Sequence, residues 1–192
     1  MTLIRQIKAW GLPLSVLLLA VVLQFGSDAL PYDRNAIGGG ELWRLFSGHF
    51  VHLGGMHLLL NAAGLLLVWT LVGDAFSTRH WLIIATCSLL SMDLGFWFLL
   101  PWLEWYVGLS GLLHGLMAAG VAGLWHERRI EALAIAAILV GKLGYEIALG
   151  SLPGSAAIAG GAVITEAHLL GGIGGFLAGV LLVIRVRSQA SL

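Results

Sequence analysis

Gly108-Leu109-Ser110-Gly111-Leu112-Leu113-His114-Gly115 is the stretch on which the reading of this chain turns. It sets a serine among small residues at the head of an apolar run from Ser110 to Trp125. His114 follows one helical turn later, on the same face. Gly108 and Gly111 remove side-chain bulk around the hydroxyl, so a backbone amide or a substrate chain can approach it closely. A serine is a weak nucleophile until a base takes its proton, which directs attention to histidines able to reach Ser110. The competing explanation is that Ser, Gly and Ala simply let membrane helices pack closely. The rest of the chain weighs one against the other.

Composition excludes a soluble domain. Of 192 residues, 59% are hydrophobic and 10% charged, and mean hydropathy is +0.94. The formal charge is zero, so nothing points to nucleic acid as a partner. The single cysteine, Cys87, lies in an apolar run, which rules out an internal disulfide and a Cys-based metal cluster. The first apolar run follows Arg5 and Lys8, as in a signal peptide. It lacks a small-x-small cleavage site before Pro31 and five more apolar runs follow, so it reads as a retained span.

Residues 1–10 read as a basic, amphipathic lead-in at the membrane surface. Spans are expected at 11–30, 56–73, 81–100, 110–125, 131–149 and 166–186, each near the ~20 residues that a hydrocarbon core requires. Between the first two runs a polar connection, Pro31 to Gly55, contains the flexible Gly38-Gly39-Gly40. Within it, Glu41 to Phe50 has helical spacing and aromatics suited to a short interfacial helix. No internal repeat is apparent. The expected fold is an all-α membrane protein, a single bundle of six transmembrane helices over 1–192.

With the N-terminus inside, seven basic residues fall on the cytoplasmic side: Arg5, Lys8, Arg79, Arg128, Arg129, Arg185 and Arg187. Only Arg34 and Arg44 fall outside, and Lys142 lies within a span. Both termini are therefore expected in the cytoplasm. The second, fourth and sixth spans then begin at the outer face with His57 and Asn61, Ser110 and His114, and His168. Asp93, Lys142 and Glu146 fall in the outer half of the spans that run outward. The 16 residues from Ser110 to Trp125 make roughly 24 Å of helix, short of a core of ~30 Å. Ser110 thus lies below the outer surface and needs a water-filled cavity opening outward.

Ser110 is the candidate nucleophile and His168 the candidate base. His114, an imidazole at the same level, competes for that role. Geometry favours His168, because a side chain at i+4 on the serine's own helix lies alongside it and points back toward its turn. The glycines at 171, 175 and 179 make a smooth face on which another helix can lie closely. His57 and Asn61 share a helix face and offer donors for an oxyanion, together with the Ser110 N–H; helix–helix hydrogen bonding explains them equally well. His52 is assigned no more than shaping its loop. Lys142 and Glu146, at i and i+4, most simply neutralise each other. Asp93 could orient a histidine or pair with Lys142.

Glu-Leu-Trp-Arg-Leu-Phe at 41–46, His52, His57 through Asn61, Gly108-x-Ser110-Gly111-x-x-x-Gly115, and Ala167-His168-x-x-Gly171-x-x-x-Gly175 stand in this order along residues 41–179. Together they resemble the rhomboid intramembrane serine proteases. The resemblance implies a Ser–His dyad without a third acid, here Ser110 and His168. It also implies an oxyanion site of His57, Asn61 and the Ser110 amide, with the Trp43-Arg44 loop structural and in the membrane interface. Rhomboids usually place Tyr or Phe four residues after the serine, where this chain has His114. That departure, with the bare six-helix form, is most similar to the rhombosortase branch, whose members are thought to trim proteins bearing a C-terminal Gly-Gly, an apolar helix and a basic tail.

The implied partners are such membrane-anchored substrates and the lipid bilayer. The implied location is a bacterial inner membrane, with the site towards the periplasm. No metal or cofactor is expected. Two other functions fit some of the residues. A catalytically dead relative would bind membrane helices, but usually lacks the serine or the histidine. A metal or proton transporter could use His52, His57, His114 and His168, though no acid lies beside them in a recurrent ligand spacing.

Overall fold

The computed structural model describes residues 3–26 and 29–190. In chain order these form α1 (Leu3–Gln24), β1 (Tyr32–Asp33), α2 (Arg34–Gly38), α3 (Arg44–Ser47), α4 (Gly55–Val72), α5 (Thr78–Phe98), β2 (Trp105–Tyr106), α6 (Ser110–Leu124), α7 (Arg129–Leu149), α8 (Ser155–Ala159) and α9 (Thr165–Ala190). Four of these helices, α4, α5, α7 and α9, are long and apolar enough to cross a membrane. The Trp10–Gln24 part of α1 and the whole of α6 are shorter apolar helices.

Several boundaries differ from those expected, the largest differences being in α1 and α3. Helix α1 starts at Leu3, inside the stretch read as a surface lead-in, and stops at Gln24 rather than at residue 30. Lys, Arg and Gln propagate a helix as readily as Leu does, so hydropathy marks where a helix turns apolar and not where it begins. Ser27 and Asp28 lie outside the described residues. The interfacial helix expected over Glu41–Phe50 is reduced to Arg44–Ser47, flanked by turns. Leu42, Trp43 and Phe46 on this segment are at least half exposed, as suits apolar side chains facing a bilayer interface.

Burial is inverted relative to a water-soluble bundle. Helix α7 exposes Ile138, Val140, Ile147 and Leu149 while burying Glu146. Apolar side chains outward and the ionisable one inward is the arrangement a hydrocarbon solvent dictates. Helix α6 is the centre of the molecule, with twelve of its fifteen residues buried. At 15 residues it is roughly 22 Å long, so one end of it stops short of a membrane face.

Helices α6 and α9 meet backbone to backbone. A Cβ placed on Gly171 would strike the Gly111 carbonyl oxygen, and one on Gly175 the Gly115 carbonyl oxygen. At Gly179 the nearest atom is the Ala119 Cα, at 2.9 Å. Small residues on both helices permit this approach. Ser91 of α5 also ties α9 in place, its Oγ donating to the Leu170 carbonyl at 2.8 Å.

The loops at one end are clipped together. Strands β1 and β2 pair antiparallel, Tyr32 opposite Tyr106 and Asp33 opposite Trp105. The Arg34 guanidinium donates to the carbonyls of Phe96 (2.9 Å) and Trp97 (2.7 Å) at the end of α5, and lies 4.7 Å over the Trp97 ring. Arg44 holds Glu41 at 2.7 Å and the Pro31 carbonyl at 3.0 Å. The Gly48 carbonyl then accepts from the Gly108 N–H at 3.1 Å. The loop containing Trp43 and Arg44 therefore buttresses the approach to α6.

Candidate active site

Ser110 opens α6. Gly108, two residues before it, has φ +129°, a backbone state that side-chain-bearing residues rarely adopt. A Cβ at Gly108 would also lie 3.0 Å from His57 Cε1 and 3.1 Å from His57 Nε2. Glycine is thus required there both for the turn and for the approach of His57. The buried Tyr106 hydroxyl donates to the Gly108 carbonyl at 2.7 Å and fixes the turn. Burial pushes the Tyr106 phenol up from its usual range, so it remains a donor. Beyond the turn, the first amides of α6, those of Ser110, Gly111 and Leu112, have no carbonyl one turn earlier to bond within the helix. They form the positive end of its dipole.

Across the glycine contact, α9 presents His168, which is 5% exposed. His168 Nε2 lies 2.9 Å from Ser110 Oγ. Its other nitrogen, Nδ1, lies 2.9 Å from Glu146 Oε2 and 3.1 Å from Oε1. Lys142 Nζ donates to Glu146 Oε1 at 2.6 Å and stands 3.3 Å from His168 Nδ1. A carboxylate accepts only, so the proton shared with Glu146 belongs to Nδ1, and Nε2 of the neutral ring presents its lone pair to Ser110. The sequence reading paired Glu146 with Lys142 alone, and the resemblance implies no third acid. Here the carboxylate also joins the histidine of a neighbouring helix.

His114 does not reach the hydroxyl. Its Nδ1 bonds the Ser110 backbone carbonyl at 2.7 Å, and its ring stacks on His168 with centroids 4.2 Å apart and planes at 14°. His57 faces Gly108 from α4. Its Nδ1 accepts from the Leu53 N–H at 3.3 Å, which leaves the proton of the neutral ring on Nε2, the nitrogen beside Gly108. Asn61, one turn further along α4, is buried, and its Nδ2 donates to the His57 carbonyl at 3.1 Å.

Other polar residues support this end of the bundle. Asp93, left open between a histidine and Lys142, bonds His49 Nε2 at 3.0 Å. The His49 ring is buried against Phe96 and Tyr106. The His52 backbone is held by Gln24 through reciprocal bonds of 2.9 and 3.0 Å. Burial, and then the nearby His57, push the His52 imidazole down to about 4, so it is a neutral spacer at pH 7. His49, Tyr106 and the Glu146–His168 contact were not anticipated. His49 lies three residues from His52 in a stretch already singled out, which was its only signal.

His114, Glu146 and His168 could each offer one atom to a metal ion, all within 4.8 Å of one another. The Lys142 ammonium bonded to Glu146 already neutralises that carboxylate and would repel a cation placed beside it.

No curated protein matches the chain. The model of the Rhomboid domain matches residues 39–185, which takes in α3 to α8, most of α9 and every residue of the Ser110–His168 cluster. The chain is a multi-pass membrane protein, and it belongs to the rhomboid family of intramembrane proteases.

Proposed function

We propose that this chain is an intramembrane serine endopeptidase in which Ser110 is the nucleophile and His168 the base. The observation that carries the reading is the 2.9 Å contact between His168 Nε2 and Ser110 Oγ at the amino end of α6. In the reaction, Nε2 takes the hydroxyl proton as Oγ bonds the scissile carbonyl carbon, and the carbonyl electron pair moves onto oxygen. The resulting oxyanion is stabilised by the Ser110 N–H, the positive end of the α6 dipole and His57 Nε2–H. Asn61 supports His57 from the next turn. The proton on Nε2 then passes to the departing amine as the C–N bond breaks. Water, deprotonated by the same nitrogen, hydrolyses the acyl ester and restores both residues.

The seven-to-two division of basic residues supports cytoplasmic termini in an inner membrane, with the site open to the periplasmic side. His114 in the usual place of an aromatic ring supports assignment to the rhombosortase branch. The substrates proposed on that basis are exported proteins with a C-terminal Gly-Gly, an apolar helix and a basic tail. The test is co-expression of the chain with such a tailed reporter. Wild type should release the shortened reporter and Ser110→Ala should leave it full length, with equal amounts of each inserted in the membrane. Normal trimming by Ser110→Ala would end this reading.

A further inference from the structure

We infer that Glu146 is a positioning residue for His168, so that the working unit is Ser110–His168–Glu146 with Lys142 as counter-ion to the carboxylate. The inference rests on the proposed roles of Ser110 and His168, and it assigns a part to two residues those roles leave unused. An ion pair at i and i+4 on α7 needs no third partner, yet Glu146 turns both oxygens toward His168 Nδ1, at 2.9 and 3.1 Å. Glu146 is 4% exposed and His168 5%, so water does not compete for this bond. A buried carboxylate on Nδ1–H does two things to the ring. It holds the tautomer whose Nε2 can accept, and it stabilises the imidazolium formed when Nε2 takes the Ser110 proton. Lys142, 2.6 Å from Oε1, balances the carboxylate charge in apolar surroundings, where a lone charge would be costly. Helix α7 thereby contributes to the chemistry from outside the α6–α9 contact.

The charge arrangement yields a test that simple helix packing would not pass. In Glu146→Gln the Lys142 ammonium, 2.6 Å from Oε1, attracts the amide oxygen and turns the NH2 group toward Nδ1. His168 must then carry its proton on Nε2 and cannot accept from Ser110. Glu146→Gln should therefore lower kcat by about 10²- to 10⁴-fold with KM nearly unchanged, as expected of a wrong tautomer. Removing the lysine as well frees the amide to flip, so Glu146→Gln/Lys142→Met should recover part of the lost kcat. The apolar pair Glu146→Leu/Lys142→Met keeps the packing, since replacing a buried ion pair with apolar residues is often neutral or stabilising, and should stay slow.

All four proteins, full length and reconstituted in liposomes, are compared by melting temperature and by kcat and KM on a tailed peptide. Ser110→Ala is measured alongside. Wild-type kcat in folded Glu146→Leu/Lys142→Met overturns the inference, as does a folded Glu146→Gln/Lys142→Met no faster than Glu146→Gln. Either result with an inactive Ser110→Ala leaves the proposed nucleophile standing. An active Ser110→Ala removes the reading beneath both. Glu146→Gln is isosteric, so it carries the test if the apolar pair does not fold.

Discussion

The imidazole rings of His114 and His168 lie parallel, with centroids 4.2 Å apart and planes at 14°. His168 is thereby confined between a ring on one face and Glu146 at its edge. His114 Nδ1 is engaged by the Ser110 carbonyl at 2.7 Å, so the stacked ring is itself held in place. The role we propose for His114 is to steady His168, a task any flat ring of similar size can perform. His114→Tyr and His114→Phe should keep measurable turnover, whereas His168→Ala should match Ser110→Ala, because members of such a unit fail together. Turnover of a tailed peptide at matched folded concentration checks this. A dead His114→Tyr beside an active His168→Ala would reverse the two roles.

The contact between α6 and α9 predicts unequal costs at adjacent glycines. A Cβ on Gly171 would strike the Gly111 carbonyl oxygen, which is backbone and cannot swing away, while one on Gly172 would meet only Leu143 Cδ1, at 3.7 Å. Gly171→Ala should destabilise by about 1–3 kcal/mol, the usual cost of overpacking, and should also lower activity by moving His168 away from Ser110. Gly172→Ala should be tolerated. Melting temperatures of the two variants in detergent measure the difference, and equal values would contradict the backbone contact.

Arg34, the first residue of α2, ties that helix to the carboxyl end of α5 through the Phe96 and Trp97 carbonyls and the face of Trp97. Its loss leaves part-buried carbonyls without that donor, and Arg34→Ala should cost about 1–3 kcal/mol. Arg34→Lys should recover only part of this, because an ammonium can neither fork between two carbonyls nor stack flat on the indole. Thermal unfolding of both variants checks the order. A lysine variant as stable as wild type would show that charge alone suffices.

Orientation is tested by reporter fusions at residue 192 and within the α7–α9 connector, residues 150–164. The distribution of basic residues predicts a cytoplasmic signal at 192 and a periplasmic one in the connector. A periplasmic signal at 192 would invert the depth assigned to Ser110 and His168.

What could be read from the sequence was what is local. The small-residue setting of Ser110, the i,i+4 face of His57 and Asn61, and the glycines at 171, 175 and 179 are visible in spacing alone, and the three glycines pack closely on α6 as their spacing implied. The missed features are contacts between distant segments. Lys142 and Glu146 explain one another within α7, so nothing in their spacing called for His168, 22 residues beyond Glu146. Asp93 had two partners in reach by sequence, and the fold selected His49. Strands of two residues, as at Tyr32–Asp33 and Trp105–Tyr106, are too short to carry an alternating pattern. Tyr106 was therefore not seen as the residue that fixes the Gly108 turn.

Covalent labelling reports whether His168 activates Ser110. Purified full-length protein in liposomes is treated with a fluorophosphonate, which phosphonylates serines whose proton is removed by a neighbouring base, and the adduct is mapped by mass spectrometry. An adduct is expected on Ser110 in the wild type and should be lost in folded His168→Ala. An unlabelled Ser110 in active wild type, or equal labelling in His168→Ala, would contradict activation of Ser110 by His168.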